Sequence, residues 1–141
     1  MIFNKKKVVL FPDELCRIMK DIEVRADIIR LIDTFYEKIK VNPLLGPIFI
    51  DVVNLNFEQH LPILYDFWCT VLLGEQSYHR NAMEAHLALA KKTPMTKGHF
   101  DEWLLIFTAT VDELYQGVKA DEIKSRAKSI AGLMLHKINK D

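Results

Sequence analysis

Cysteine is scarce: Cys16 and Cys69 are the only two in 141 residues. A single pair gives no disulfide framework, and the chain suits a reducing cytoplasm. Net charge is absent, because 19 lysines and arginines balance 19 aspartates and glutamates. That balance removes the electrostatic footprint by which a general nucleic-acid binder holds phosphate. No apolar run approaches the roughly 20 residues of a membrane span, so no membrane insertion is expected. Val8-Val9-Leu10-Phe11 follows three lysines but is too short for a signal-peptide core, and Pro12-Asp13-Glu14 ends it. No glycine-rich loop lies between a strand and a helix, which excludes a nucleotide-phosphate cradle. Internal repeats and low-complexity tracts are missing too. What is there is the composition of one globular domain: 50% hydrophobic residues, 27% charged, and length enough to bury a useful core.

The hydrophobic pattern is helical, with no convincing strand alternation, so the fold class is all-α. Asp13 can cap a short helix through about Lys20, with Leu15, Ile18 and Met19 inward. A longer helix is expected from Glu23 to Lys40, with Ile28, Leu31, Ile32, Phe35, Tyr36 and Ile39 on one stripe. Asn42-Pro43 stops it, and Leu44 to Phe49 is a tight apolar turn that folds onto a core. The next helix spans Asn56 to Leu73, with His60, Leu64, Phe67, Trp68 and Val71 inward and Gly74 as its C-cap. Pro62 there requires a place in the first turn. After the polar stretch Glu75 to Asn81 comes a short segment around His86, then a loop through Pro94. Thr96 caps a helix to about Tyr115, with Phe100, Trp103, Leu104, Phe107, Val111 and Leu114 inward, and Gly117 ends it. Asp121 opens the last helix, which buries Ile123, Ala127, Ile130, Leu133, Met134 and Ile138. Six helical pieces broken by proline and glycine point to a bent, pairwise-packed fold over a simple four-helix bundle. Residues 1–22 form an N-terminal extension with the first short helix, and residues 23–141 the main domain.

Three chemistries can be weighed on these elements. A di-iron carboxylate bundle needs Glu-x-x-His on facing helices. The chain offers Glu58 with His60 and Glu84 with His86, at a spacing of two, which points the side chains apart. Cys69 lacks an oxyanion-hole signature and reads as a buried small residue. A haem pocket needs a fixed histidine, an apolar slot and polar groups on its far side. His86 can be the iron ligand, with Met83 and Leu87 beside it. Phe35, Phe49, Leu64, Leu72, Phe107 and Leu133 can line the slot, and Tyr36, His60 and Trp103 put polar tips on inward faces of three helices. Each of these three alone reads equally well as ordinary packing: a core tyrosine bonded to a carbonyl, a half-exposed histidine, core bulk. A haem-free helical interaction module with an aromatic core therefore stays open, as does a haem-based sensor.

Phe35-Tyr36-Glu37-Lys38, Leu45-Gly46-Pro47-Ile48-Phe49, Phe67-Trp68, Leu72-Leu73-Gly74-Glu75, His86-Leu87 and Glu102-Trp103-Leu104 occur in an order that resembles the truncated haemoglobins of the third group. The resemblance covers roughly residues 25 to 135, and the absence of any Gly-Gly pair suits this group. It implies a two-over-two helical sandwich around haem b. His86 matches the proximal iron ligand, Tyr36 the distal tyrosine, His60 the distal-helix histidine, Trp103 the pocket tryptophan, and Phe49 the phenylalanine against the porphyrin. The implied function is binding or transport of dioxygen or a related diatomic ligand. With a reductase as partner, turnover of peroxide or nitric oxide is a further implied activity. The N-terminal twenty residues and the loop between His86 and Phe100 depart from the pattern.

Overall fold

Apolar residues at three- and four-residue steps become buried helical stripes in the computed structural model, which describes residues 19–49, 57–77 and 95–140, with Phe57 and residues 138–140 in backbone only. Among the described residues there are four helices and no strand: α1 (Arg25–Val41), α2 (Phe57–Leu73), α3 (Lys97–Leu114) and α4 (Val118–Lys140). The all-α class is thus as expected. The short helix expected near residues 13–20 lies outside the described residues except for Met19 and Lys20, which are not helical. The His86 segment also lies outside them, as does the side chain of Ile138.

Helix α1 buries the expected stripe of Ile28, Leu31, Ile32, Phe35, Tyr36 and Ile39. The Asp27 carboxylate accepts from the backbone N–H groups of Glu23 (2.9 Å) and Val24 (3.1 Å). Those bonds satisfy donors ahead of the first turn, and the helix starts at Arg25 instead of Glu23. Asn42 ends α1 in extended backbone, and its Oδ1 accepts from the N–H groups of Leu44 and Leu45 at 2.9 and 2.8 Å. The turn that follows lays Leu45, Ile48 and Phe49 onto the core. Only glycine fits at its centre, because a Cβ on Gly46 would stand 2.6 Å from the Lys40 carbonyl oxygen.

Helix α2 buries Leu64, Trp68, Cys69 and Leu72. Phe67 and Val71, expected on that inner stripe, are only half-buried, so the stripe runs at steps of four through Leu64, Trp68 and Leu72. Pro62 falls in the second turn, not the first. It leaves the Glu58 carbonyl without a helical donor, and Glu58 is exposed, where water can replace the bond. Gly74 closes the helix with φ +77°, and the Glu75 N–H returns to the Cys69 carbonyl.

Thr96 caps α3 as expected: its Oγ1 accepts from the His99 N–H, while the His99 ring accepts from the Thr96 N–H at 2.9 Å. Phe100, Phe107, Thr110 and Val111 are buried, while Trp103, Leu104 and Leu114 are half-buried. The helix stops at Leu114, ahead of Gly117, with Tyr115 as an extended cap whose hydroxyl donates to the Asp27 carbonyl (3.0 Å). Helix α4 begins at Val118, three residues before the expected Asp121. Its first N–H groups are capped from outside: Asp21 accepts from Lys119 (2.9 Å) and Ala120 (2.8 Å). On α4, Ile123, Ala127, Ala131 and Met134 are buried, and Ile130 is half-buried. Leu133 is a correction to the sequence reading, since it is 47% exposed. It sits one residue before Met134, about 100° round the helix from the buried stripe.

Helix α1 packs on α2 and α3, and α3 on α4. Ile22, Phe35, Tyr36, Leu64, Trp68, Phe107 and Tyr115 belong to one buried cluster, and Met95, Phe100, Ala131 and Met134 form a smaller one between the start of α3 and α4.

Candidate functional site

Tyr36 is the point at which three helices and the Gly46 turn meet. Its side chain is 3% exposed, with the Trp103 indole close to its phenol. The His60 ring stands edge-on to Tyr36 at 6.0 Å, and Phe49 does so at 6.4 Å. Burial raises the Tyr36 phenol well above its ordinary pKa, and the nearby Trp103 indole offsets only part of that rise. The phenol therefore keeps its proton across the neutral range.

The wall behind these polar tips is aromatic. Phe35 is edge-on to Tyr36 (4.9 Å), Trp103 (5.6 Å) and Phe107 (5.1 Å). Phe107 in turn stacks against Trp103 (5.5 Å, 8° between planes) and Trp68 (5.6 Å, 23°). Edge-to-face and offset pairs of this kind contribute about 0.5–1.5 kcal/mol each beyond area burial, which fixes the donor positions. Phe35, Phe107, Leu64 and Leu72 are covered by protein, whereas Trp103 and His60 keep part of their surface open.

Of the residues singled out from the sequence, the structure thus brings Tyr36, His60, Trp103, Phe49, Phe35 and Phe107 together and buries Leu64 and Leu72 on α2. Leu133 points to solvent. His86, Met83 and Leu87 lie outside the described residues. The sequence reading placed Trp68 inward but left it out of the site. Its partner Phe107 is 39 positions away, and no local spacing signals that stack. A second feature with no local signal is the clasp of Arg25, whose guanidinium donates to Asp66 (2.5 Å) and Glu75 (3.0 Å). It ties the start of α1 to the end of α2.

Other chemistries fare less well. Cys69 is fully buried, and burial, with Glu75 nearby, pushes its thiol up to about 11, which leaves it neutral and unreactive. Among the described residues no group of three or more His, Cys, Asp or Glu side chains could hold a metal ion, and no helix is long and apolar enough to cross a membrane. A haem fits the side chains that are present: apolar and aromatic walls, with a phenol and an indole close together and a third polar ring beside them.

No family model matches the chain. A group 3 truncated haemoglobin of Campylobacter jejuni is 32% identical over 110 residues, which make up 76% of this chain and 84% of that protein. A crystal structure of the group III truncated haemoglobin from Campylobacter jejuni matches with a TM-score of 0.74 at 28% identity, over 85% of this chain and 95% of that one. Matched in sequence and in fold over most of its length, the chain belongs to the group III truncated haemoglobins.

Proposed function

We propose that the chain binds haem b and holds dioxygen or a related diatomic ligand against the pocket built on Tyr36. Membership of the family implies haem as the cofactor. Bound haem would supply an iron that coordinates a small ligand reversibly and exchanges single electrons. His86 is the residue proposed to hold the iron through Nε2, its Nδ1–H meeting a carbonyl or carboxylate. Phe49, Leu64, Leu72, Met83 and Leu87 are proposed to line the porphyrin.

The observation that carries this reading is the buried Tyr36 phenol set beside the Trp103 indole in an aromatic wall. A diatomic ligand held by bound haem would carry partial negative charge, and the buried Tyr36 phenol could donate to it with little rearrangement, in a pocket whose low dielectric strengthens the bond. His60, half-buried beside Tyr36, stands where a ligand can be admitted. Turnover of peroxide or nitric oxide, fed by a reductase, is a further activity proposed for the same pocket. A haem-free interaction module, the other reading of the sequence, is not favoured by the relatives.

Titration of the purified chain with haem, beside His86→Ala, tests the proposal. A sharp Soret band that saturates at one haem per chain and changes in the variant is the expected result. No saturable band would remove the haem reading, and a band indifferent to the substitution would remove His86 as ligand.

A further inference from the structure

The aromatic contacts around Tyr36 do not stop at the pocket. Trp103 stacks on Phe107, and Phe107 stacks on Trp68. Trp68 lies three residues beyond Tyr65 on α2, and side chains at that spacing are neighbours on one helix face. Tyr65 is half-buried, packs on the edge of the core, and donates its hydroxyl to the carboxylate of exposed Asp33 on α1. Stacked rings thus run from the pocket to Trp68, and Tyr65, one helical turn before it, stands at the surface as a phenol with a base attached.

Indole and phenol are the aromatic side chains that give up an electron most readily. Electron exchange falls steeply with distance, so rings in contact pass an electron far faster than one long step does. Oxidising a phenol also makes it strongly acidic, and the step is easy only where a base takes the proton. Burial, together with the bond and charge of Asp33, holds the Tyr65 phenol above its ordinary pKa. The proton is therefore present at neutral pH and must leave with the electron.

We propose that Trp103, Trp68 and Tyr65 form an electron relay from the pocket to the surface, where small phenolic or ene-diol reductants are oxidised at Tyr65 while Asp33 holds its proton. The relay rests on the haem reading given above. The oxidant is a hydroperoxide reduced in the pocket, and hydrogen peroxide takes two electrons and two protons to give two waters. Each electron leaves Trp103 and is replaced from Trp68 across the Phe107 ring, which is a bridging contact and is not itself oxidised. Tyr65 then refills Trp68, and the Tyr65 proton passes to Asp33. A reductant gives one electron to the tyrosyl radical, Asp33 returns the proton, and the proton lost by the reductant balances one used on the peroxide. Two reductant molecules become two radicals for each peroxide consumed.

The test uses the full chain loaded with haem, its Soret band recorded first. Equimolar hydrogen peroxide is added with a nitrone spin trap, and the adducts are located by mass spectrometry of the digest. The expected adduct is on Tyr65, lost in Tyr65→Phe, Trp68→Phe and Asp33→Asn, and restored in Trp68→Tyr, which keeps a ring that can be oxidised. A purely structural role for Trp68 predicts loss in both Trp68 variants. Asp33→Asn is a surface change that leaves the core intact. An undiminished Tyr65 adduct in Trp68→Phe or Asp33→Asn overturns the relay, as does peroxide consumption with no Tyr65 adduct in the unmodified chain. Absence of the Soret band at the outset overturns the haem reading, and the relay with it.

Discussion

At Tyr36 and Trp103 two polar rings share one aromatic wall, the phenol buried and the indole half-exposed beside it. A net hydrogen bond to a charged group contributes about 1.5–3 kcal/mol, or roughly ten- to a hundredfold in affinity. Tyr36→Phe is expected to raise the dissociation rate of bound dioxygen by about that factor, measured by stopped-flow displacement. Trp103→Phe should raise it less, because the buried Tyr36 donor survives. A larger effect from Trp103→Phe would show that the indole meets the ligand itself. The sequence put both residues in the site, but their closeness, between positions 36 and 103, is something no helical period encodes.

At the scale of elements, the described helices sit where hydrophobic spacing put them, and the shifts at their ends have physical causes. Helix α4 starts early because Asp21, nearly a hundred positions away, caps it. Helix α1 starts late because Asp27 satisfies the preceding donors. Capping from within a helix is legible in sequence, as Thr96 shows, whereas capping by a distant segment is not. Asp21→Ala should cost about 0.5–2 kcal/mol, the range for loss of a capping side chain, seen as a lower urea midpoint at unchanged slope. The same carboxylates set an acid limit. Burial works to raise both Asp21 and Asp27, but backbone N–H bonds to Asp21, and Lys20 with backbone N–H bonds to Asp27, outweigh it and hold both below the ordinary value. A depressed folded-state pKa contributes stability that is present above the unfolded value, about 3.9, and is lost as pH falls through the lower folded value. Asp21→Asn, with a side chain that does not titrate, should therefore lose stability less steeply than the parent below about pH 4, in chemical melts at stepped pH. The turn after α1 is a third case. In Gly46→Ala the new methyl would meet the carbonyl oxygens of Lys40 (2.6 Å) and Ile39 (3.1 Å), which are backbone atoms of the helix end and cannot rotate away. The turn has to shift, taking Phe49 off Tyr36, and the variant should lose both stability and haem affinity. Full haem affinity in Gly46→Ala would show that the seat of Phe49 tolerates the displacement.

For the whole molecule, the order of the sequence motifs is what maps onto the assembled core. Phe35-Tyr36, Leu45 to Phe49, Phe67-Trp68 and Trp103 all fall on the elements that meet at Tyr36, and each places at least one side chain in or against the core. Leu133 failed because inward and outward positions on α4 differ by one residue, and small Ala131 took the place a larger residue was expected to fill. Among the described residues the two apolar clusters join through half-buried Trp103 and Ile130, which pack against both. A ligand gripped near Trp103 therefore bears on both clusters and so on all four helices. Whatever binds the folded chain and not the unfolded one stabilises it by mass action, about 2.7 kcal/mol when free ligand is a hundredfold above its dissociation constant. At about 2–4 °C per kcal/mol, the range for chains somewhat larger than this one, haem loading should raise Tm by roughly 5–10 °C. The rise should grow with haem concentration and shrink sharply in His86→Ala. It should persist in Tyr36→Phe, since that residue is assigned to the small ligand and not to the porphyrin. Paired thermal melts of these three proteins, with and without haem, separate the two roles. A Tyr36→Phe chain that gained nothing from haem would make the tyrosine part of the porphyrin's own seat, and the dissociation rates would then need a different source.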